Sequence, residues 1–120
     1  MRLSVIIPTK NRKSDLIALI NSLMGQSIIP DELIIIDQSD TLSCKSIIIN
    51  KWNTIENSKL KYIHDTSING LVEAKWVGSK LASSEIICFL DDDLILDKHF
   101  LREIIKPFFE NFDIKGSSGI

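Results

Sequence analysis

Long apolar stretches are missing from this chain, and that absence removes the membrane-spanning classes first. The N-terminal run, Leu3 to Ile7, ends at Pro8. It is too short for a bilayer span or for the apolar core of a signal peptide. Excess charge of either sign is missing too. Lys and Arg number 14 against 16 Asp and Glu, for a net charge of −2, and the basic residues are scattered. No basic stripe marks a nucleic-acid surface. Cysteine is scarce: Cys44 and Cys88 are the two present, at no metal-ligand spacing. Cys88 lies in an apolar run and reads as a core residue. Such cysteine usage fits a reducing compartment, so the expected location is the cytoplasm. Neither G-x-G-x-x-G nor G-x-x-x-x-G-K-[ST] follows the first apolar run. The usual dinucleotide fingerprint and the P-loop are therefore both excluded. Repeats, low-complexity segments and obvious linkers are also lacking.

What is present suits one globular domain over residues 1–120, long enough to bury a core and 44% hydrophobic. Leu3–Ile7 reads as a strand stopped by Pro8. Leu16, Leu19, Ile20 and Leu23 recur at helical spacing, with Gly25 placed to end the helix. Leu33–Ile36 is a buried strand ending in Asp37. Ile47, Ile48, Trp52 and Ile55 fit a second helix. Leu60–His64 is less apolar, as an edge strand would be. Leu71, Ala74, Gly78 and Leu81 repeat helically. Glu85–Leu90 reads as a buried fourth strand. Phe100, Leu101, Ile104, Ile105 and Phe108 give a last helix that Pro107 should kink or end. Ile114 begins a further strand or a loop, and Gly116-Ser117-Ser118-Gly119 has no assignable structure. This β-α alternation predicts an α/β fold, a mainly parallel sheet flanked by helices on both faces.

The strongest chemical signal is Asp91-Asp92-Asp93, directly after Ile86-Ile87-Cys88-Phe89-Leu90. Three carboxylates leave one strand tip together. A pair of them at ~4 Å repels by about 4 kcal/mol at an effective dielectric near 20. Such a cluster calls for a cation or a hydrogen-bonding ligand. The plain alternative is an acidic loop before a helix that starts at Lys98, with Asp97 as its N-cap. Ligands of parallel sheets bind beyond the strands' C-terminal ends. Polar groups stand at all four ends here: Pro8-Thr9-Lys10-Asn11, Asp37-Gln38-Ser39-Asp40, His64-Asp65 and Asp91–Asp93. His64 and Asp65 are adjacent on a strand, so they point to opposite faces and make a poor acid–base dyad. His99 reads as a surface residue.

Ser4-Val5-Ile6-Ile7-Pro8-Thr9-Lys10-Asn11-Arg12, Ile34-Ile35-Ile36-Asp37-Gln38-Ser39 and Phe89-Leu90-Asp91-Asp92-Asp93 resemble, in order and spacing, the family 2 glycosyltransferases. Asn69-Gly70-Leu71 with Ala74-Lys75 is similar to that family's G-L-x-x-A-R-N segment. The resemblance runs from residue 3 to about residue 115. It implies a Rossmann-like GT-A fold and a nucleotide-diphosphate-sugar donor, a UDP-sugar first. It also implies a glycan or glycoconjugate acceptor, inversion at the sugar and a divalent cation, Mn²⁺ or Mg²⁺.

By this resemblance Asp37 accepts a hydrogen bond from the nucleobase, and Pro8 and Thr9 line the base and ribose. Asn11 and Arg12 are contact residues or polar groups at a helix start. Asp65 is a secondary nucleotide contact, and Lys75 reaches the diphosphate. Asp93 ligates the metal with Asp91 beside it, while Asp91 or Asp92 meets the ribose or a metal-bound water. Hard oxygen ligands suit both cations. Trp76 replaces the family's Asn, with packing against a neighbouring helix as its expected role and covering of the sugar pocket as the alternative, and Glu73 stands where a small residue is usual. The family's catalytic base lies well past this motif. No acid among the 120 residues fits it, so none is assigned as catalytic. The chain reads as a donor-binding N-terminal portion that binds nucleotide weakly, transfers sugar poorly, self-associates through exposed apolar surface, and meets a membrane only through other regions. Two other readings compete: a non-catalytic module of the same fold, and a receiver-like phosphoacceptor domain. The second wants acids after the first strand, and the chain has none there.

Overall fold

The computed structural model describes residues 2–41 and 44–110. Its elements alternate in chain order: β1 (Leu3–Thr9), α1 (Lys13–Met24), β2 (Glu32–Asp37), α2 (Lys45–Trp52), β3 (Lys59–His64), α3 (Gly70–Leu81), β4 (Ile86–Phe89) and α4 (Phe100–Glu110). The four strands form one sheet in the order β3-β2-β1-β4. Every pairing is parallel, with Ser4 opposite Glu32, Leu3 opposite Ile86 and Glu32 opposite Lys59. β1, β2 and β4 are rich in β-branched residues, which a pleated, covered surface favours.

Side-chain alternation divides the core in two. Val5 and Ile7 of β1, with Leu33 and Ile35 of β2, join Leu16, Leu19, Ile20 and Leu23 of α1. Ile48 and Trp52 of α2, with Leu101 and Ile105 of α4, complete that cluster. On the opposite face Ile6, Ile34 and Ile36 meet Ala74 of α3. One face thus carries three helices and the other carries one. Each fully buried Leu or Ile contributes about 1.5–3 kcal/mol.

Several expectations need correction. Pro8 does not stop β1; it lies inside the strand opposite Ile36, and the strand continues to Thr9. The Ile6 carbonyl accepts from Leu90 N–H on the β4 side, whereas the Thr9 carbonyl accepts from Gln38 N–H on the β2 side. Pro8 therefore faces β4 beyond its last paired residue, Phe89, where a missing N–H costs no ladder bond. β4 is not buried on both faces. It is an edge strand whose Ile87 and Phe89 are exposed, Phe89 at 41%. Leu71 is exposed, and α3 buries Ala74 and Gly78. α2 ends at Trp52, so Ile55 lies past it. α4 runs through Pro107 to Glu110. The carbonyl that Pro107 leaves without a donor belongs to exposed Glu103, where water can reach it.

α1 ends at Met24 with Gly25 as its C-cap. Asp97 accepts from His99 N–H ahead of α4. His99 is half-buried, with no partner at Nδ1. The readings at Ile114 and at Gly116–Gly119 lie outside the described residues. Among the described residues, no helix is long and apolar enough to cross a membrane.

Candidate functional site

β1 leads to β2 on one side and, later, pairs with β4 on the other, so the strand order reverses at β1. At the C-terminal ends around this reversal lies a cleft of about 480 Å³. β1 and its following loop supply Pro8, Thr9, Lys10 and Arg12; β2 is followed by Gln38; α3 begins with Gly70 and Leu71; Asp91, Asp92 and Asp93 follow β4.

The three acids are not equivalent. Asp92 turns inward, where Thr9 Oγ1–H donates to its Oδ2 at 2.9 Å. Burial raises its pKa above the usual carboxylate range against the lowering effect of Thr9 and Arg12, and the charges of Asp93 and Asp15 push it further up. Asp91 and Asp93 remain exposed. Arg12 Nη1 stands 3.8 Å from Asp92 Oδ1 and 3.9 Å from Asp93 Oδ2. Farther along, the chain is anchored by Gln26 of the loop after α1. Gln26 donates to the Asp97 carbonyl at 2.6 Å and accepts from Leu101 N–H at 3.0 Å. The triplet is therefore held on both sides by packed elements. Among the described residues no three His, Cys, Asp or Glu side chains form a ready cation cage. A Mg²⁺-type ion takes one or two carboxylates and completes its shell with phosphate oxygens and water. The open, hard-oxygen carboxylates of Asp91 and Asp93 suit it.

Asp37 does not line the cleft. It is 2% exposed and faces the three-helix side. Tyr62 O–H donates to its Oδ2, and Ser39 N–H donates to its Oδ1 at 2.8 Å. Burial and the neighbouring Asp37 raise the Tyr62 hydroxyl pKa well above its usual value. The next residue, Gln38, faces the other way and does line the cleft. Its amide clamps the start of α3, accepting from Gly70 N–H at 3.1 Å and donating to the Gly70 carbonyl at 3.4 Å. Gly70 sits at φ +87°, a conformation that glycine adopts without strain.

The structure therefore brings together Pro8, Thr9, Asp91, Asp92 and Asp93 but leaves three other expected contacts off the cleft lining. Asn11, at φ +55°, ties two loops together through Ser39 and Asp40. Asp65 receives the Ser67 hydroxyl and N–H, which lower its pKa, and caps the turn before α3. Lys75 places its ammonium 5.3 Å from the centre of the Phe89 ring. Glu73 reaches back to Asn69 N–H at 3.0 Å and closes the first turn of α3, which gives this departure a structural role. Trp76 is not buried against a helix among the described residues: it is 62% exposed, with Lys80 over its ring. Lys10, Arg12, Gln38, Gly70 and Leu71 complete the lining. Strand alternation is the signal that would have found Gln38, since residues 37 and 38 must face opposite ways.

Residues 4–117 match the family described as Glycosyl transferase family 2. A glycosyltransferase of Haemophilus influenzae is 30% identical over 91 residues, 76% of this chain and 29% of that protein. The poly(ribitol-phosphate) beta-N-acetylglucosaminyltransferase TarS of Staphylococcus aureus is 28% identical over 104 residues, 86% of this chain and 18% of TarS. The crystal structure of TarS 1–349 in complex with UDP-GlcNAc aligns with a TM-score of 0.72 at 26% identity, covering 93% of this chain and 32% of that one. The mannosyltransferase PcManGT of Pyrobaculum calidifontis, in complex with GDP-Man and Mn²⁺, shares the fold with a TM-score of 0.76 at 22% identity, over 89% of this chain and 32% of that one. The chain spans about a fifth to a third of the length of these relatives. The parallel sheet with flanking helices is the arrangement of these GT-A neighbours.

Proposed function

The chain belongs to glycosyl transferase family 2, and from that premise we propose that it forms the donor-binding part of an enzyme transferring a sugar from a nucleoside-diphosphate sugar to an acceptor hydroxyl. The observation that carries this reading is the convergence of Thr9, Arg12, Gln38 and the acid triplet on one cleft. Gln38 takes the base-contact role in place of Asp37. An amide has two N–H donors and two acceptor lone pairs. Gly70 uses one of each, so one N–H and one lone pair remain for a base. Asp37 and Tyr62 hold the loop that presents Gln38. Asp93 and Asp91 would hold Mn²⁺ or Mg²⁺, which supplies charge neutralisation of the departing diphosphate. Arg12 and Lys10 add positive charge on the same wall. Asp92, held by Thr9, fixes the tip from which the other two acids project.

The acceptor in this reading is a glycan or glycoconjugate, and transfer inverts the anomeric carbon, as the family resemblance implies. Among the described residues, the acids lining the cleft are the triplet alone. In this reading the base that deprotonates the acceptor is supplied from beyond this cleft, as the family resemblance implies. Calorimetric titration with UDP, GDP, CDP and dTDP, each with and without Mn²⁺, tests the donor site. The expected result is manganese-dependent binding of one nucleotide, lost in Asp93→Ala without a change in melting temperature. If no nucleotide binds, the reading is wrong.

A further inference from the structure

Arg12 carries a charge that the cleft needs in two different places. Its Nη1 lies between Asp92 and Asp93, within 4 Å of both. Asp15, in the first turn of α1, adds a further negative charge acting on Asp92. The backbone of Arg12 is fixed. Its carbonyl accepts from Leu16 N–H at 2.9 Å, and its neighbour Asn11 is tied to Ser39 and Asp40. The side chain is 54% exposed, and both carboxylate contacts are longer than a bidentate pair allows. Contacts of this kind are weak and readily exchanged.

Resting on the function proposed above, we infer that Arg12 is the resident counter-ion of the acid triplet, and that it gives up this place to the divalent cation and turns to the donor's phosphates. Before a cation binds, it offsets the repulsion between Asp92 and Asp93. When a cation takes over that task, a guanidinium left beside the same acids would repel it. The weakly hydrated planar fork of Arg suits a phosphate better than an exposed carboxylate at this spacing. Arg12 lines the cleft, and its long side chain can reach either place from a fixed backbone.

This exchange leaves a signature of opposite signs. Without nucleotide, Arg12 competes with the cation, so Arg12→Gln should bind Mn²⁺ alone more tightly, by about threefold to fivefold. With saturating Mn²⁺, the same variant should bind UDP or GDP about tenfold or more weakly, because charge-assisted bonds to phosphate are lost. Arg12→Lys keeps the charge without the fork. It should hold Mn²⁺ alone close to wild type yet recover the nucleotide only in part. Lys13→Gln, one residue along and off the cleft lining, is the control for a general change in charge. Mn²⁺ titration followed by electron paramagnetic resonance, with calorimetry for the nucleotides, reads both constants on the 120-residue chain. Tighter Mn²⁺ with weaker nucleotide in Arg12→Gln supports the exchange. Unchanged or weaker Mn²⁺ binding in that variant overturns it, as does an equal gain in Lys13→Gln, while wild-type nucleotide binding leaves the donor site standing. A wild-type chain that binds neither Mn²⁺ nor nucleotide overturns both.

Discussion

Glu32 holds a charge at a point only 1% exposed, at the end of the sheet away from the cleft. Burial alone would raise its pKa. The Lys61 ammonium at 2.7 Å, Ser83 N–H and the Ser4 hydroxyl outweigh that and bring it from 4.5 to about 2. A carboxyl lowered on folding stabilises above its unfolded pKa and loses that contribution as pH falls through its folded value. The shift corresponds to about 3 kcal/mol, so stability should decline between pH ~5 and ~2. Chemical denaturation across that window measures the slope, and Glu32→Gln should flatten it. Asp37 and Gln38 make a second pair of tests. Asp37→Ala removes a buried acceptor from Tyr62 and should cost about 1–3 kcal/mol of stability. Gln38→Ala should weaken nucleotide binding several-fold with a smaller loss of stability. If Asp37→Ala instead binds nucleotide poorly at unchanged stability, Asp37 and not Gln38 faces the base. Asp91–Asp93 and Thr9 were legible as cleft residues because carboxylates at a strand tip have few structural uses. Gln38 was not, because an amide beside an acid draws less notice and residue type alone does not say which face a side chain takes.

At the scale of elements, α3 is the single helix on its face of the sheet among the described residues, and it approaches closely. A Cβ at Gly78 would lie 2.5 Å from Ile6 Cγ2, a fully buried atom of the central strand. Gly78→Ala should therefore cost about 1–3 kcal/mol by overpacking, despite the better helix propensity of Ala. Because Gly70 and Leu71 open the same helix, nucleotide affinity should fall with stability. Urea denaturation and a nucleotide titration on the one variant check both, and a stabilised Gly78→Ala would refute the close approach. The strands and helices themselves were legible, since β-branched runs and helical spacing encode them locally. Their coverage was not. Ile86 to Phe89 is uniformly apolar, yet Ile86 and Cys88 are buried whereas Ile87 and Phe89 are exposed. A run without alternation says nothing of an uncovered face. Pro8 misled for the mirror-image reason: whether it ends a strand depends on which side the absent N–H would face.

The residues lining the cleft lie at one end of the sheet, and the buried Glu32–Lys61 ion pair lies at the other. With the triplet as the acids that line the cleft among the described residues, the proposed donor part should bind nucleotide without turning it over. Product analysis with a nucleotide sugar and a mixture of glycan acceptors should show transfer slower by about 10²–10⁴-fold than in an enzyme with its general base in place. Clear turnover by the 120 residues would place the base among them.

The strand order also carries a cost in time. β1 is synthesised first, but its second neighbour is the last strand to appear. Arg2 N–H finds the Glu85 carboxylate 83 residues later. At translation rates of about 5–20 residues per second, roughly 4–17 s pass while β1 has one backbone edge bare. Of the two interior strands, β1 is thus the one whose nascent edge waits longer for cover, and the growing chain should be captured there by a chaperone or a neighbouring nascent strand before β4 arrives.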